Sequence, residues 1–500
     1  MTTDGGGREV RLSRLVRAIR TEGGAVQEGS SAVSVSGISY DSRRVRRGDL
    51  FVALPGRNAD GAAFAGEALR RGAAAVLHAG RLALPKGAGG IRCGDPRRAM
   101  GDVAAAFWDD PTAHLRVVGV TGTNGKSTSA FMIRDLLEAA GIGTALLGTI
   151  VYAFAGREVP ADRTMPETPD TQRLFAEALR AGCAAGVMEV SSQGIAAERH
   201  RGLLFAAALF TNLTRDHLDF HGDMEHYFAA KRRLFAEGLA PDAPLAVGTD
   251  DPWGRRLAEE FRRDKLFTFA IDREAAVRAR GIEMDECGSR FTVDLPGARG
   301  LAARIPFPGR HNILNALGAL AIGVGLGLDA EGMVAALAHL RPVPGRLERV
   351  PDEAGGRHVF VDYAHTDDAL RHVLETLRAV AKRRVLCVVG CGGDRDRKKR
   401  PLMAGVATEL ADWTVLTSDN PRSERPEDIL AEMTPGIVPG KPCTIVPDRR
   451  EAIAAALAEA REGDIVLVAG KGHETYQEIR GIRHPFDDRA VARDLLAASC

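Results

Sequence analysis

The chain has 500 residues, too many for one ordinary core, so two to four domains are expected. Its composition, 45% hydrophobic and 27% charged, is that of a globular protein and excludes a disordered one. Lys+Arg at 67 nearly cancels Asp+Glu at 66, which argues against nucleic-acid binding driven by bulk charge.

In chain order, residues 1–108 mix short apolar runs such as SAVSVSGISY and DLFVALPG with an Ala-rich helical piece near Phe64 to Gly72. From about residue 113, β-rich runs alternate with helical ones. LRVVGVT (115–121) precedes a helix from Lys126 to Ala140, with Phe131, Leu136 and Leu137 at roughly helical spacing and Gly141 at its C-cap. Further strands are expected over 184–192, 207–213 and 243–251. The Pro/Gly stretch RPVPGR (341–346) suits a linker. A second alternating set follows, with strands over 358–365, 383–391, 412–420 and 463–472. Apolar strands alternating with helices imply buried parallel sheets, so the class is α/β and the central and last blocks each read as an open sheet. In such sheets ligands collect beyond the carboxyl ends of the strands. The blocks divide as 1–108, 109–338 and 339–500. The seven cysteines include no C-x-x-C pair, and neither an apolar leader nor a window of eighteen apolar residues occurs. A cytoplasmic monomer without membrane insertion is expected.

RVVGVTGTNGKST (116–128) runs from an apolar strand through a glycine-rich turn into a helix. Val120 stands where the strict pattern G-x-x-x-x-G-K-[ST] has its first glycine. The order of strand, glycines, Lys-Ser-Thr and helix still builds an anion site from backbone N–H groups. Gly122 and Gly125 allow the positive φ of a tight nest, with Thr123 and Asn124 between them. Lys126 would reach the terminal phosphates of ATP, and the hydroxyl of Ser127 or Thr128 would face Mg²⁺. Glu189 ends an apolar strand, where a glutamate is commonly a solvated rim residue. Asp216, His217, Asp219 and His221 follow another, and oxygen-rich groups with one imidazole suit Mg²⁺ beside a phosphate loop. Lys231, in YFAAKRRLF, reads by itself as one of three basic residues on a surface helix. The basic run RDRKKR (395–400) reads as a solvated loop in preference to a nucleic-acid patch.

These motifs stand in order with DSRRVRRGDLFVALPGRNADG (41–61), MEVSSQG (188–194), PGRHNILNALGAL (308–320), VPGRLERV (343–350), VDYAHTDDAL (361–370), SDNPR (418–422) and AGKGHE (469–474). Together they resemble the ATP-dependent Mur ligases of peptidoglycan synthesis over almost the whole chain, and within them the branch that adds meso-2,6-diaminopimelate. The resemblance accounts for Val120, because the family uses the short form T-G-T-N-G-K. It implies three α/β domains: an N-terminal one for the UDP-MurNAc substrate, a central ATPase-like one and a C-terminal Rossmann-like one.

The reaction implied is amide formation at the side-chain carboxylate of D-glutamate in UDP-MurNAc-L-Ala-D-Glu, through an acyl phosphate made with ATP. The resemblance gives Glu189 and His217 to Mg²⁺ and implies that Lys231 is carbamylated. It places Asn312, Asn315, Arg346 and Asp362 at ATP, with Arg346 toward the transferring phosphoryl group. Ser42, Thr164, Met165, Ser191 and Arg199 match positions for the first substrate. Asp419, Asn420, Pro421 and Arg422, with Arg395, Gly470 and Glu474, match the pocket for diaminopimelate. Met165, Gln193 and Asp367 depart from the family pattern. Asn420 and Arg422 disfavour a lysine-adding relative. The pair DNPR and GKGHE disfavours a folylpolyglutamate or MurF-type ligase. A non-catalytic nucleotide-binding protein would need a broken site, yet Lys126, Glu189, His217 and Lys231 are all present.

Overall fold

The computed structural model describes residues 7–56, 60–352 and 356–498, which leaves Cys500 outside the described residues. The chain falls into two compact units: 1–278 with 317–333, and 279–316 with 334–500.

The first unit carries two sheets. Its N-terminal sheet has five strands, β1 (Ala25–Gly29), β2 (Gly37–Ser39), β3 (Asp49–Val52), β4 (Ala75–His78) and β5 (Gly89–Cys93), in the order β1-β5-β4-β3-β2. All its neighbours are parallel except β1 against β5. Helix α1 (Pro96–Phe107), started by Pro96 and by the Asp95 carboxylate on the N–H groups of Arg97 and Arg98, packs its apolar face there.

The second sheet is built around β6 (Arg116–Thr121), whose residues from Val117 onward are all buried. Its partners are β7 (Thr144–Leu147), β8 (Val151–Phe154), β9 (Arg157–Pro160), β10 (Ala185–Glu189), β11 (Ala207–Phe210), β12 (Leu245–Gly248) and β13 (Leu266–Ala270). Within this unit the order runs β9-β8-β7-β10-β6-β11-β12-β13. Five consecutive pairings, from β7 to β13, are parallel, as near-continuous apolar strands require. The edge β7-β8-β9 is antiparallel, which the sequence reading did not anticipate. Helix α2 (Lys126–Ala139) follows β6, and α3 (Thr168–Arg180) follows β9. Gly141 (φ +77°) ends α2, donating to the Glu138 carbonyl as a glycine beyond a C-cap does.

The expected strands are shorter than their apolar runs suggest. The run 184–192 stops at Glu189, and Ser191 then caps a short helix, α4 (Ser192–Ala196), by accepting from the Gly194 N–H. The run 207–213 stops at Phe210, and Thr211 and Asn212 turn instead to the loop after β6. In both places polar side chains bond the backbone of a turn or helix start where the chain leaves the sheet.

The second unit contains the hairpin β14 (Gly288–Leu295) and β15 (Ala298–Ile305), closed around Gly297 at φ +84°. Its main sheet comprises β16 (Glu348–Val350), β17 (His358–Asp362), β18 (Val385–Cys391), β19 (Trp413–Ser418), β20 (Cys443–Ile445) and β21 (Ile465–Ala469). The order is β16-β17-β21-β18-β19-β20, with only β16 antiparallel. Helices α5 (Asp367–Val380), α6 (Lys399–Leu410), α7 (Pro426–Met433) and α8 (Arg449–Glu459) connect the strands. A last hairpin, β22 (Tyr476–Ile479) and β23 (Ile482–Pro485), follows β21. No helix among the described residues is long and apolar enough to cross a membrane.

Candidate functional site

The loop after β6 is shaped by its neighbours. Gly122 has φ +149°, and a Cβ there would lie 1.8 Å from the Thr211 hydroxyl, so only glycine fits. Gly125, at φ +82°, opens α2. The Thr123 N–H donates to the Asn212 carbonyl (2.9 Å) and the Asn124 N–H to Asn212 Oδ1 (3.0 Å), which anchors the nest from the β11 side. Val120 is a buried ladder residue paired with Glu189 and Leu209, one position before the strand ends; a glycine there would only weaken the strand. Lys126 Nζ donates to the Gly122 (3.0 Å) and Thr123 (2.8 Å) carbonyls, and Ser127 and Thr128 are buried at the start of α2.

Glu189 ends β10 with 1% exposure, so it is no solvated rim residue. Its Oε1 accepts from the Thr149 N–H (2.8 Å), and its Oε2 accepts from the hydroxyls of Ser127 (3.0 Å) and Thr149 (3.0 Å). Thr149 also meets Thr164 through their hydroxyls at 3.0 Å. Thr149 thus joins the expected metal carboxylate to an expected substrate contact. Sequence reading missed it, the only signal being a hydroxyl placed two residues beyond an apolar strand.

Lys231 corrects the surface-helix reading. Its helix, Met224–Glu237, buries Tyr227, Phe228, Leu234 and Phe235, and Lys231 lies on that same face with 1% exposure. Its Nζ donates to the Gly122 carbonyl at 2.7 Å and lies 4.7 Å from the Tyr227 ring centre. Burial, then the nearby Lys126 charge, push its pKa well below the ordinary lysine value, which favours the neutral amine. The Tyr227 hydroxyl is 3.2 Å from that of Thr123, and both His217 and His221 rings pack on Tyr227. His217 has φ +52°, and burial lowers its pKa.

Ser127 and Glu189 offer a hydroxyl and a carboxylate together, the hard oxygen donors that suit Mg²⁺. Glu198, His200 and Glu237 also converge, but Arg98, Arg201 and Arg233 already engage the two carboxylates, making an ion-pair network and no free donor set.

The expected first-substrate residues are spread over the first unit. Ser42 is buried and its hydroxyl donates to Glu67 (3.2 Å). Ser191 is the cap of α4, and Arg199 is held by Glu167 (2.9 Å) and the Met165 carbonyl (3.1 Å). The Met165 side chain is buried in the same apolar core as Ile195, so this residue offers its carbonyl's hold on Arg199 and no exposed side chain.

In the second unit, Asp362 accepts from the N–H groups of Leu347 (2.7 Å) and Ala364 (2.8 Å), and Leu347 is held at φ +44°. Burial raises the Asp362 pKa, and the Arg346 charge opposes that rise. The Arg346 guanidinium lies over the Tyr363 ring, 4.9 Å from its centre. Asn312 donates to the Pro308 carbonyl (2.8 Å), and Asn315 is buried one turn further along.

Beyond the carboxyl ends of β18, β19 and β21 lie the segments 392–395, 419–422 and 470–474. Arg422 sits at φ +52°, donates from its N–H to the Glu478 carbonyl (2.9 Å), and points Nη1 at the Gly393 carbonyl (2.7 Å). Asn420 Nδ2 donates to Glu474 Oε2 (2.7 Å). Asp419 Oδ1 accepts from the Asn420 N–H (2.6 Å), Pro421 follows, and a Cβ on Gly470 would lie 2.6 Å from Asp419 Oδ2. Arg395 is exposed, with Nη1 3.3 Å from its neighbour's carbonyl. The solvated-loop reading of 395–400 needs correction at Arg400, which is fully buried on Glu424 and Glu432.

A Mur ligase middle-domain model matches residues 120–323, a Mur ligase glutamate-ligase-domain model 345–472, and a Mur ligase family catalytic-domain model 34–108. The chain belongs to the Mur ligase family. Like other Mur ligases it is an ATP-dependent enzyme that forms amide bonds, with a three-domain α/β architecture. A protein of Solibacter usitatus (strain Ellin6076), named UDP-N-acetylmuramoyl-L-alanyl-D-glutamate–2,6-diaminopimelate ligase, is 48% identical over 92% of this Mur ligase and 93% of its own length. A solved structure of a ligase with the same name superposes with a TM-score of 0.69 at 34% identity, covering 93% of this chain and 95% of that one. MurF ligase from Thermotoga maritima, solved with ADP, shares the fold at 19% identity (TM-score 0.65, 93% and 98% covered).

Proposed function

We propose that this Mur ligase adds meso-2,6-diaminopimelate to the D-glutamate side-chain carboxylate of UDP-MurNAc-L-Ala-D-Glu. The observation that carries the reading is the joint between 419–422 and 470–478. There Asn420 donates to the Glu474 carboxylate and the Arg422 N–H to the Glu478 carbonyl, while the Gly393 carbonyl holds the Arg422 guanidinium. The distal end of diaminopimelate bears a carboxylate and an ammonium, which those two groups complement. Lysine has no carboxylate there. The names of relatives 48% and 43% identical support the same choice.

A carboxylate has no adequate leaving group, so a carboxylate oxygen takes the γ-phosphoryl group of ATP and ADP departs. The amine of the second substrate then attacks the acyl carbon, inorganic phosphate leaves, and the amine loses a proton. In this chain the 122–128 loop holds phosphate oxygens through backbone N–H groups and Lys126. Ser127, Glu189 and His217 would hold Mg²⁺, with Lys231 joining them as a carbamate. When bound, the metal offsets the repulsion between carboxylate and phosphate. A neutral, buried Lys231 amine is the form that adds CO₂ and loses a proton. Arg346, Asn312, Asn315 and Asp362 complete the reading as ATP residues; the hold of Asp362 on Leu347, next to Arg346, supports it. The domain limits 1–108, 109–338 and 339–500 belong to this proposal, as does a cytoplasmic monomer, which suits the six cysteines that are free among the described residues.

Nucleotide substrate carrying ¹⁸O in the glutamate carboxylate tests the route. One labelled oxygen should appear in each phosphate released; unlabelled phosphate excludes the acyl phosphate. Arg422→Lys should raise KM for diaminopimelate about tenfold or more while KM for the nucleotide substrate stays put. An unchanged KM for diaminopimelate would remove Arg422 from the pocket.

A further inference from the structure

Lys471, between Gly470 and Gly472, is fully buried, and nothing above gives it a role. Its Nζ donates to Asn420 Oδ1 (3.1 Å), Glu474 Oε2 (3.3 Å) and the Tyr476 carbonyl (2.5 Å), which uses all three of its protons. We propose that Lys471 is a positioning residue that fixes which atoms of Asn420 and Glu474 meet the incoming amino acid, and thereby helps select a substrate with a zwitterionic distal end. The proposal rests on the assignment of 419–422 and 470–474 to that amino acid.

The orientation of the Asn420 side chain follows from its donors. Its Oδ1 accepts from Lys471 and from the Glu478 N–H at 2.9 Å. A flipped amide would set Nδ2 against an ammonium and an N–H, leaving two buried donors without an acceptor. Nδ2 is therefore committed to Glu474 Oε2 at 2.7 Å. That oxygen now has two donors, whereas Glu474 Oε1 has no hydrogen-bond partner among the described residues. A substrate ammonium meets one defined oxygen.

Charge adds selectivity. Arg395, Arg422 and Lys471 set three positive charges against the two carboxylates of Asp419 and Glu474, which suits an end group bearing a carboxylate as well as an ammonium. Without the Lys471 ammonium that positive excess is gone and Glu474 loses its ion pair, which favours a bare ammonium, as on lysine.

Lys471→Met keeps the aliphatic stem and removes the charge. KM for meso-diaminopimelate, the nucleotide substrate and ATP, the ratio of kcat/KM for diaminopimelate to that for L-lysine, and Tm would be measured in wild type and variant. The expected result is a rise of about tenfold or more in KM for diaminopimelate, a fall in the ratio, and little change for nucleotide or ATP. The effect should also be non-additive with Glu474→Gln. Equal shifts in all three KM values, additivity, or an unchanged ratio would overturn the proposal. Should Lys471→Met not fold, Lys471→Gln keeps a donor without the charge, and the ratio should still fall. If neither folds, Lys471 is scaffold alone and the proposal is lost. A wild type that does not prefer diaminopimelate overturns the proposed function itself; an equally selective variant of a selective wild type overturns only the role of Lys471.

Discussion

Thr149 shows how much one hydroxyl can organise. It donates to Glu189 while also meeting Thr164, so the carboxylate and the 164 loop move together. Thr149→Val keeps the shape and deletes that link. A hydrogen bond to a charged group is worth about 1.5–3 kcal/mol, so kcat/KM should fall about tenfold to a hundredfold in a phosphate-release assay. Thermal stability should change far less; a fall in Tm with unaltered kinetics would make Thr149 a packing residue. Lys231 carries a related lesson about legibility. Tyr227, Phe228, Lys231, Leu234 and Phe235 recur at helical spacing, so its place on the buried stripe was written in the sequence. Its charge concealed this, because lysines are rarely buried. Thr149 and Lys471 were not legible, since their roles depend on partners 40 and 51 residues away.

At the scale of elements, the loops that carry the chemistry are fitted backbone to backbone. Gly345 has φ +63°, and a Cβ there would lie 2.1 Å from the His473 nitrogen; one on Gly472 would lie 2.6 Å from Tyr363 Cβ. Gly345→Ala must therefore push the 343–347 loop off the 471–474 loop. We expect it to raise KM for the amino-acid substrate and to lower kcat, because Arg346 is the next residue; steady-state kinetics unaltered in both would contradict this packing. Helix α6 gives a second case. Arg400 is fully buried on Glu424 and Glu432, whose carboxylates keep some solvent access, so losing its charged hydrogen bonds costs about 1.5–3 kcal/mol. Arg400→Met should show such a loss in urea unfolding at pH 7. The hydrogen bond from Arg400 lowers the Glu424 pKa to about 2. The unfolded carboxyl titrates at about 4.3, so this pair contributes fully above that pH and is lost as pH falls toward 2. The variant should lack that part of the acid dependence, and identical acid limbs would exclude the pair as its source. The basic run hid Arg400 because a run gives composition and no direction. Burial of its last member follows from the helix that begins at Lys399.

For the whole molecule, the parallel cores were legible because β6, β10, β18 and β21 are unbroken apolar runs between helices. The antiparallel edge at β8 and β9 and the β14–β15 hairpin were not. β9, β14 and β15 are half polar and give no such signal, and β8 is an apolar run of only four residues. The phosphate loop, Glu189 and the 419–422 segment all lie where strands end, the position that an α/β sheet reserves for ligands. The most direct test combines them in one assay. The purified protein is given UDP-MurNAc-L-Ala-D-Glu, ATP and Mg²⁺ with either meso-diaminopimelate or L-lysine, and phosphate release is followed. Release with diaminopimelate should exceed that with lysine by about a hundredfold or more in kcat/KM, since lysine leaves buried polar groups unpaired. Faster release with lysine, or none with either amine, would contradict the assignment.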